Sequence, residues 1–391
     1  MNLKVLQNVI IVEHEANDVG PGHVLIRYFN ERKIDELVYI GHPNLYMQSG
    51  FKKSSRMVRF HKGNILWEKT SRHWILPEWV LYIKDCIYTI YWIFFDKHTY
   101  DVFIGLGNIN ALCGIFLKKI GKVNKVVYYV IDYIPNRFEN KMLNLIYVWA
   151  ERFAASWSDN TWNLSNRMIE ARNNRWKMNF PNQFVVPHGL YVDKKKILPY
   201  TKIHKHELIY MGNLNEEQGV QLVIKSIKEL ISYIPNISFT IIGTGNYEKE
   251  LKNLTKKNHL EDHVQFLGRI QDNKQMEKRL GRAALAVAMY NPEHKFSMYS
   301  DPGKIKHYLS VGLPIIMTDL PQVAEKIDHY CGEVIPYNQE IFINTVMNIL
   351  RNQQLFKRYR KNAIILAKRY DWNLIFEEAL HNLLSADIKA K

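Results

Sequence analysis

Along the chain, short unbroken apolar runs alternate with stretches in which apolar residues recur every three or four positions. In the first half the runs are Val9–His14, Glu36–Gly41, Asp101–Gly107, Lys125–Asp132 and Gln183–Gly189. Between them, GPGHVLIRYFNER, NINALCGIFLKKIG and NKMLNLIYVWAERFAASWSD carry helical periodicity. The second half is more regular. ELIYMGNL ends in Gly212 and is followed by a helical stripe of Val220, Val223, Ile224, Ile227 and Ile231. SFTIIGTG, HVQFLGRI, LAVAMY, LPIIMTD and GEVIPY then alternate with helical segments, and Gln339–Leu384 reads as helix. Strands that alternate with helices predict parallel sheets covered on both faces. The expected fold class is α/β, with two doubly wound, Rossmann-like domains. They are placed at 1–193 and 207–370, with a basic, Pro199-containing linker at 194–206 and a last segment at 371–391. Ligands of such sheets bind beyond the carboxyl ends of the strands.

Composition narrows this picture. The 391 residues are 47% hydrophobic and 23% charged, enough core for two globular domains. The formal net charge of +15 favours anionic partners. The basic residues are spread along the chain rather than gathered in a stripe, so no nucleic-acid partner is expected. Cys86, Cys113 and Cys331 are far apart and form no CxxC, which indicates neither a zinc site nor a disulfide framework. This reads as a reduced, cytoplasmic protein. The first residues read as a strand followed by acids rather than as a leader peptide. The most apolar stretch, Trp79–Phe95, is too short to cross a bilayer core of ~30 Å and is interrupted by Lys84 and Asp85. It reads either as a buried element or as a membrane-docking surface. No HExxH and no full GxGxxG occurs.

The clearest candidate chemistry lies in YSDPGKIKHYLSVGLPIIMTD, from Tyr299 to Asp319. Ser300 or Asp301 is expected to cap a helix, with Pro302 in its first turn. Gly303 lets an anion approach the backbone, and Lys304 adds charge beside it. The same residues also describe a plain capped helix with Lys304 and Lys306 in solvent.

The ordered set QFVVPHGLYVD, LIYMGNLNEEQGVQLVIKSI, FTIIGTGNYEKELKNL, VQFLGRI and KIKHYLSVGLPIIMTDLP resembles the retaining glycosyltransferases of the GT-B fold, group 1 or family 4. The resemblance covers most of the second half and is fainter in the first. It implies two domains facing a central crevice, a nucleotide-diphosphate sugar held by the C-terminal domain, and an acceptor on the N-terminal one. A final helix at 371–391 would cross back to the first domain. It also implies transfer with retention and no metal or other cofactor, and the absence of any Asp-x-Asp agrees with that. Protein cations and helix N–H groups would stabilise the leaving diphosphate.

Residue by residue, the resemblance places donor contacts at Gly20 and Gly22, at Gly212, Asn213 and Gln218, and at Arg269 and Ile270. Asp301, Gly303, Lys304 and His307 complete the set, with Glu293 as a displaced substitute for a family acid. Several positions depart from the family. Asn213 and Gln218 stand where an Arg and a Lys are usual, and His307 stands where an acid is usual. The charge lost at 213 and 218 would have to come from Lys304, Lys306 or Arg269. Asp132 is the candidate catalytic carboxylate, but Ile131 replaces the His that normally precedes it. His188 reads as a turn residue.

The expected function is therefore transfer of a sugar to a glycan or lipid-linked acceptor in cell-surface polysaccharide synthesis. Peripheral contact with an anionic membrane at its inner face would suit such an acceptor. The alternative is a non-catalytic homologue that binds nucleotide, glycan or a partner transferase. An epimerase of the same fold is a third reading.

Overall fold

The computed structural model describes residues 6–15, 20–43, 54–72, 77–192, 197–293 and 295–385. Residues 193–196 of the expected linker and 386–391 of the last segment lie outside them. Backbone contacts divide the chain into two units, residues 1–187 with 376–391, and residues 188–375.

The first unit runs β1 (Asn8–Glu15), α1 (Pro21–Glu31), β2 (Glu36–Pro43), β3 (Arg56–His61), β4 (Asn64–Thr70), α2 (Glu78–Phe94) and β5 (Tyr100–Leu106). It continues with α3 (Asn108–Lys119), β6 (Val123–Val130), α4 (Lys141–Trp157), β7 (Asn160–Asn163), α5 (Asn166–Trp176) and β8 (Gln183–Val185). The strand order is β4-β3-β2-β1-β5-β6-β7-β8. Strands β1, β2 and β5 to β8 are parallel, whereas β3 and β4 add an antiparallel hairpin at the edge. The sheet is therefore mixed rather than wholly parallel. The hairpin RMVRFHKGNILWEKT escapes the sequence reading because every residue of β4 except Trp67 is exposed and its charged residues mask the alternation. Strand β7 escapes for the opposite reason. Its four residues NTWN are polar in three places yet fully buried. They are paid for by side-chain bonds, such as Arg172 Nη1 donating to Asn163 Oδ1 at 2.8 Å and Arg172 Nε to Glu151 Oε1 at 2.5 Å. The expected strand Gln183–Gly189 shortens to Gln183–Val185.

The second unit runs β9 (Glu207–Met211), α6 (Val220–Tyr233), β10 (Ser238–Ile242), α7 (Glu248–Lys257), β11 (Val264–Phe266), α8 (Asn273–Leu280) and β12 (Leu285–Ala288). Then come α9 (Gly303–Ser310), β13 (Ile315–Met317), α10 (Ala324–Ile327), β14 (Gly332–Val334), α11 (Gln339–Arg351) and α12 (Gln353–Ala367). Its sheet is parallel throughout, in the order β11-β10-β9-β12-β13-β14. The order reverses between β9 and β12, so the loops that leave these two strands part at the carboxyl edge, where doubly wound sheets bind ligands. Helix α6 shows why the pattern was readable here. Val220, Val223, Ile224, Ile227 and Leu230 are buried, while Lys225, Lys228 and Glu229 face water.

A last helix, α13 (Trp372–Ser385), ends in the first unit. There Phe376 meets Tyr28 at 5.2 Å between ring centroids and Trp162 at 6.5 Å. Arg32 Nη2 reaches Glu377 Oε1 at 2.7 Å. Among the described residues no helix is long and apolar enough to cross a membrane.

Candidate functional site

The carboxyl end of β9 turns at Gly212, whose φ of +149° disfavours any side chain. Space matters there as well. A Cβ at Gly212 would lie 2.9 Å from Lys304 Nζ and 2.9 Å from the Tyr210 hydroxyl. The missing side chain is what admits the lysine, which reaches across from the first turn of α9. Lys304 Nζ donates to Gln218 Oε1 at 2.6 Å and to the Tyr210 hydroxyl at 3.0 Å. The Tyr210 O–H in turn donates to the Asn213 carbonyl at 2.7 Å. The ammonium also lies 4.4 Å from the Tyr210 ring centroid and 5.2 Å from that of Tyr290.

Among the described residues Lys304 has no carboxylate partner. Burial pushes its pKa down to about 7, and Glu217 opposes that only weakly. A lysine held between two tyrosines and an amide oxygen is a cation short of an anion. Of the two residues expected to have lost the family's charge, Gln218 holds the ammonium directly, and the Asn213 carbonyl holds the Tyr210 hydroxyl that also meets it.

The turn carrying Gln218 is fixed from below. Gly219, at φ +68°, passes so close to Met289 that a Cβ would lie 1.5 Å from its carbonyl oxygen. Next to it, Asn291 N donates to the Glu217 carbonyl at 2.9 Å. This joins the loop after β12, which carries Glu293, to the loop after β9. The Glu293 side chain is exposed. The loop after β11 is joined from the other side, since Gly243 N donates to Gly268 O at 2.8 Å and Gly212 N to Ile242 O at 3.0 Å. Arg269 on that loop is exposed and Ile270 is half-buried against the core.

Helix α9 starts differently from the expectation. Neither Ser300 nor Asp301 caps it. Pro302 is the cap residue and no side chain bonds to the first N–H groups. Ser300 Oγ instead donates to Ser297 O at 2.8 Å. Asp301 is buried, its Oδ1 paired with Lys306 Nζ and its Oδ2 accepting from His188 N at 2.7 Å. Its carboxylate is thus consumed inside the protein, which corrects the assignment of Asp301 to the donor. Lys306 is equally far from the solvent position allowed for it, being fully buried and 4.8 Å from the Tyr370 ring centroid. A Cβ at Gly303 would meet nothing within 4 Å. The uncapped helix start therefore opens onto space, beside Lys304. His307 sits one turn further on, half-buried, with Nδ1 3.8 Å from Glu277 Oε1 on α8.

In the first unit, Gly22 has a packing reason of its own. A Cβ there would lie 2.3 Å from the Glu13 carboxyl. That buried carboxylate accepts from the Tyr39 hydroxyl at 2.9 Å and lies 3.2 Å from His23 Nδ1. The start of α1 thus faces an internal anion. Gly20 is extended, at φ 166°, a conformation open to any residue. Asp132 follows the end of β6. Its tip reaches solvent, yet crowding raises its carboxyl above the usual range, and Arg137 pulls it back down.

Tyr210 and Tyr290 were missed in the sequence because nothing in a strand-end tyrosine announces a cation beside it. Gly212 was the available signal, as a glycine that ends a strand leaves room for a neighbour.

Residues 194–365 match the family model described as Glycosyl transferases group 1. The phosphatidyl-myo-inositol mannosyltransferase of Mycobacterium leprae is 21% identical over 223 residues, 53% of this chain and 55% of that protein. The aligned stretch thus spans about half the length of that relative. The amylovoran biosynthesis glycosyltransferase AmsK of Erwinia amylovora is 24% identical over 122 residues, 31% of this chain and 30% of that protein. Among solved structures, Anabaena HepE in complex with UDP superposes with a TM-score of 0.69 at 14% identity, covering 97% of this chain and 100% of that one. Residues 194–365 are a group 1 glycosyltransferase domain, in a chain of the GT-B fold.

Proposed function

We propose that the protein transfers a sugar, with retention of configuration, from a nucleoside-diphosphate donor to a glycan or lipid-linked acceptor in cell-surface polysaccharide synthesis. The observation that carries this reading is the Lys304 ammonium, seated on the Gln218 amide oxygen at 2.6 Å without a carboxylate. A leaving diphosphate needs positive charge aimed at it in advance. Lys304, the uncapped start of α9 and the donor N–H groups of Gln218 supply it without a metal, so no metal is required. The charge that the family resemblance puts at 218 is returned from another element to nearly the same point.

The remaining roles follow from chemistry. Glu293 is an exposed carboxylate on the adjoining loop and is assigned to the donor sugar. His307 offers a ring nitrogen to a ribose hydroxyl. Arg269 supplies further cationic charge at the rim. Asp132, with its raised carboxyl, holds the acceptor hydroxyl and takes its proton. The relatives guide the choice of substrates. HepE holds UDP, which makes a UDP-sugar the first donor to try. The mycobacterial relative acts on a phosphatidylinositol, as its name states, which favours an acceptor carried on a lipid.

The test is a thermal-shift screen with UDP, GDP, ADP and TDP, with and without magnesium, followed by donor hydrolysis. Stabilisation by one nucleotide, unchanged by magnesium, together with slow hydrolysis of its sugar is the expected result. Stabilisation that requires magnesium would contradict the metal-free site. Binding without hydrolysis or transfer would contradict the enzyme.

A further inference from the structure

Helices α2 and α4 of the first unit each show an apolar stripe to solvent. On α2, Trp79, Ile83, Ile87, Tyr91 and Phe94 follow one another at helical spacing and are all exposed, Trp79 and Ile87 by 61%. The face turned inward carries buried Lys84, Asp85 and Thr89 beside buried Leu81, Trp92 and Ile93. On α4, Met142, Leu145, Ile146, Trp149, Phe153 and Trp157 are exposed, while Glu151 is buried together with Val148, Ala154 and Ala155. An ordinary surface helix turns charged residues, rather than a stripe of large apolar ones, to water.

The rotation of both helices is fixed by polar bonds. Lys84 Nζ lies 2.8 Å from Asp85 Oδ1, which also accepts from Ser55 Oγ at 2.9 Å, and Thr89 Oγ1 bonds His42 Nε2 at 2.8 Å. Glu151 is held by Arg172. Turning either helix to hide its stripe would strand these buried groups, at a cost far above that of leaving apolar area in water. The exposed stripes are thus set by the fold. Helix α3 packs against both α2 and α4, and it adds exposed Phe116 and, just past its end, Ile120. Three helices, with α3 packed against each of the other two, thus all show large apolar side chains to water, more than a protein surface keeps without a partner.

Its border says which partner. Exposed Lys97, Lys119 and Lys141 stand at helix ends around the face, with Glu139 as an exposed acid near Lys141. Lys119 Nζ lies 4.1 Å from the Trp157 ring centroid, and the Arg152 guanidinium 4.9 Å from that of Trp149. Aromatic side chains in a field of aliphatic ones, with long cationic side chains beside them, suit the boundary between lipid headgroups and acyl chains. A second copy of the same face would bring lysine against lysine. An anionic bilayer would meet them with opposite charge.

The geometry points to the α2–α3–α4 face as the surface by which this protein docks on an anionic lipid bilayer, lying in the interface without spanning it. The inference does not rest on the donor site, which belongs to the other unit. It does give a lipid-linked acceptor a place to be reached from.

The test is co-flotation of the full chain with vesicles of phosphatidylcholine alone and of phosphatidylcholine with phosphatidylglycerol, with no nucleotide present. The chain is expected to float with the anionic vesicles and to be released by salt. Ile87→Glu with Ile146→Glu should cut the bound fraction about tenfold or more, as should the milder Tyr91→Ser with Trp149→Ser in lesser degree. Lys97→Glu with Lys119→Glu should remove the preference for anionic lipid. Ile365→Glu, on an exposed position of α12, should change nothing. Circular dichroism and the melting temperature confirm that each variant is folded. Absence of flotation, or flotation that both apolar double variants leave intact, would overturn the proposal. So would a dimer in light scattering that Ile87→Glu with Ile146→Glu converts to monomer, since the face would then belong to a second copy.

Discussion

The two units share one plan, a doubly wound sheet flanked by helices, yet α2 and α4 of the first leave in water an apolar stripe of the kind that α6 of the second buries. In the second unit, α6 buries Ile224 and Ile227 and shows Lys225 and Lys228 to water. In the first, α2 buries Lys84 and Asp85 and shows Ile83 and Ile87. The polar groups differ to match. The second unit keeps a lysine without a carboxylate partner at its sheet edge, whereas the first locks its Lys84 and Arg172 into ion pairs under an apolar skin. The comparison teaches that a shared fold leaves the choice of neighbour open. On the readings proposed above, one unit would meet a small anionic ligand and the other a lipid surface.

The sharpest way to break this contrast is to make one change in both units. Ile224→Ala in α6 should lower unfolding free energy by about 2–5 kcal/mol in urea denaturation, since it empties a packed site. An effect under about 1 kcal/mol would mean that α6 does not bury this stripe. Next in size is Asp132→Asn. Turnover should fall about a hundredfold while donor affinity stays as it was, because a proton acceptor is lost and a donor contact is not. Wild-type turnover would remove Asp132 from the mechanism.

The third effect is on pH. The Lys304 pKa is lowered by burial to about 7 in the free protein, below its unfolded value, so above that pH the folded state has released a proton that the unfolded chain still holds. Two consequences follow in sign. Stability attributable to this group rises with pH between about 7 and the ordinary lysine range. Nucleotide affinity does the reverse. The diphosphate binds the cation, so above pH 7 binding must take up a proton, and affinity should drop by up to about tenfold per pH unit. Calorimetry of UDP in buffers of different ionisation enthalpy reads that uptake directly, and a flat profile from pH 7 to 8.5 would contradict it. The smallest effect completes the comparison. Ile87→Ala in α2 should change stability by less than about 0.5 kcal/mol, although the residue is as apolar as Ile224. A loss comparable to that of Ile224→Ala would show that α2 is buried after all.

These contrasts also explain how much was legible in the sequence. The alternation that builds both sheets was readable, because buried parallel strands are written as unbroken apolar runs. The hairpin of β3 and β4 was not, since an exposed edge strand full of charge carries no such run. The stretch Trp79–Phe95 was readable as an apolar element, either buried or at a membrane, but an apolar run does not say which side turns inward. Lys84 and Asp85 looked like interruptions of a core helix and are in fact its core-facing side, a choice made by Ser55 and His42 from distant parts of the chain. At the candidate site, the helix start was legible in DPGK, and Gly303 and Lys304 do open α9. The fate of Asp301 was not, because its partners Lys306 and the His188 N–H come together only in the fold.

The central claim is that the cation missing from position 218 is returned by Lys304. It is tested by measuring UDP affinity in three proteins at pH 7: the wild type, Lys304→Met, and Lys304→Met with Gln218→Lys. Methionine keeps the packing between Tyr210 and Tyr290, so the change is one of charge. Lys304→Met should weaken UDP by about ten- to a hundredfold, the scale of one charge-assisted bond. Gln218→Lys should recover most of that loss, since the Gln218 side chain ends 2.6 Å from the Lys304 ammonium. Unchanged affinity in Lys304→Met, or a loss that the lysine at 218 leaves untouched, would contradict the account.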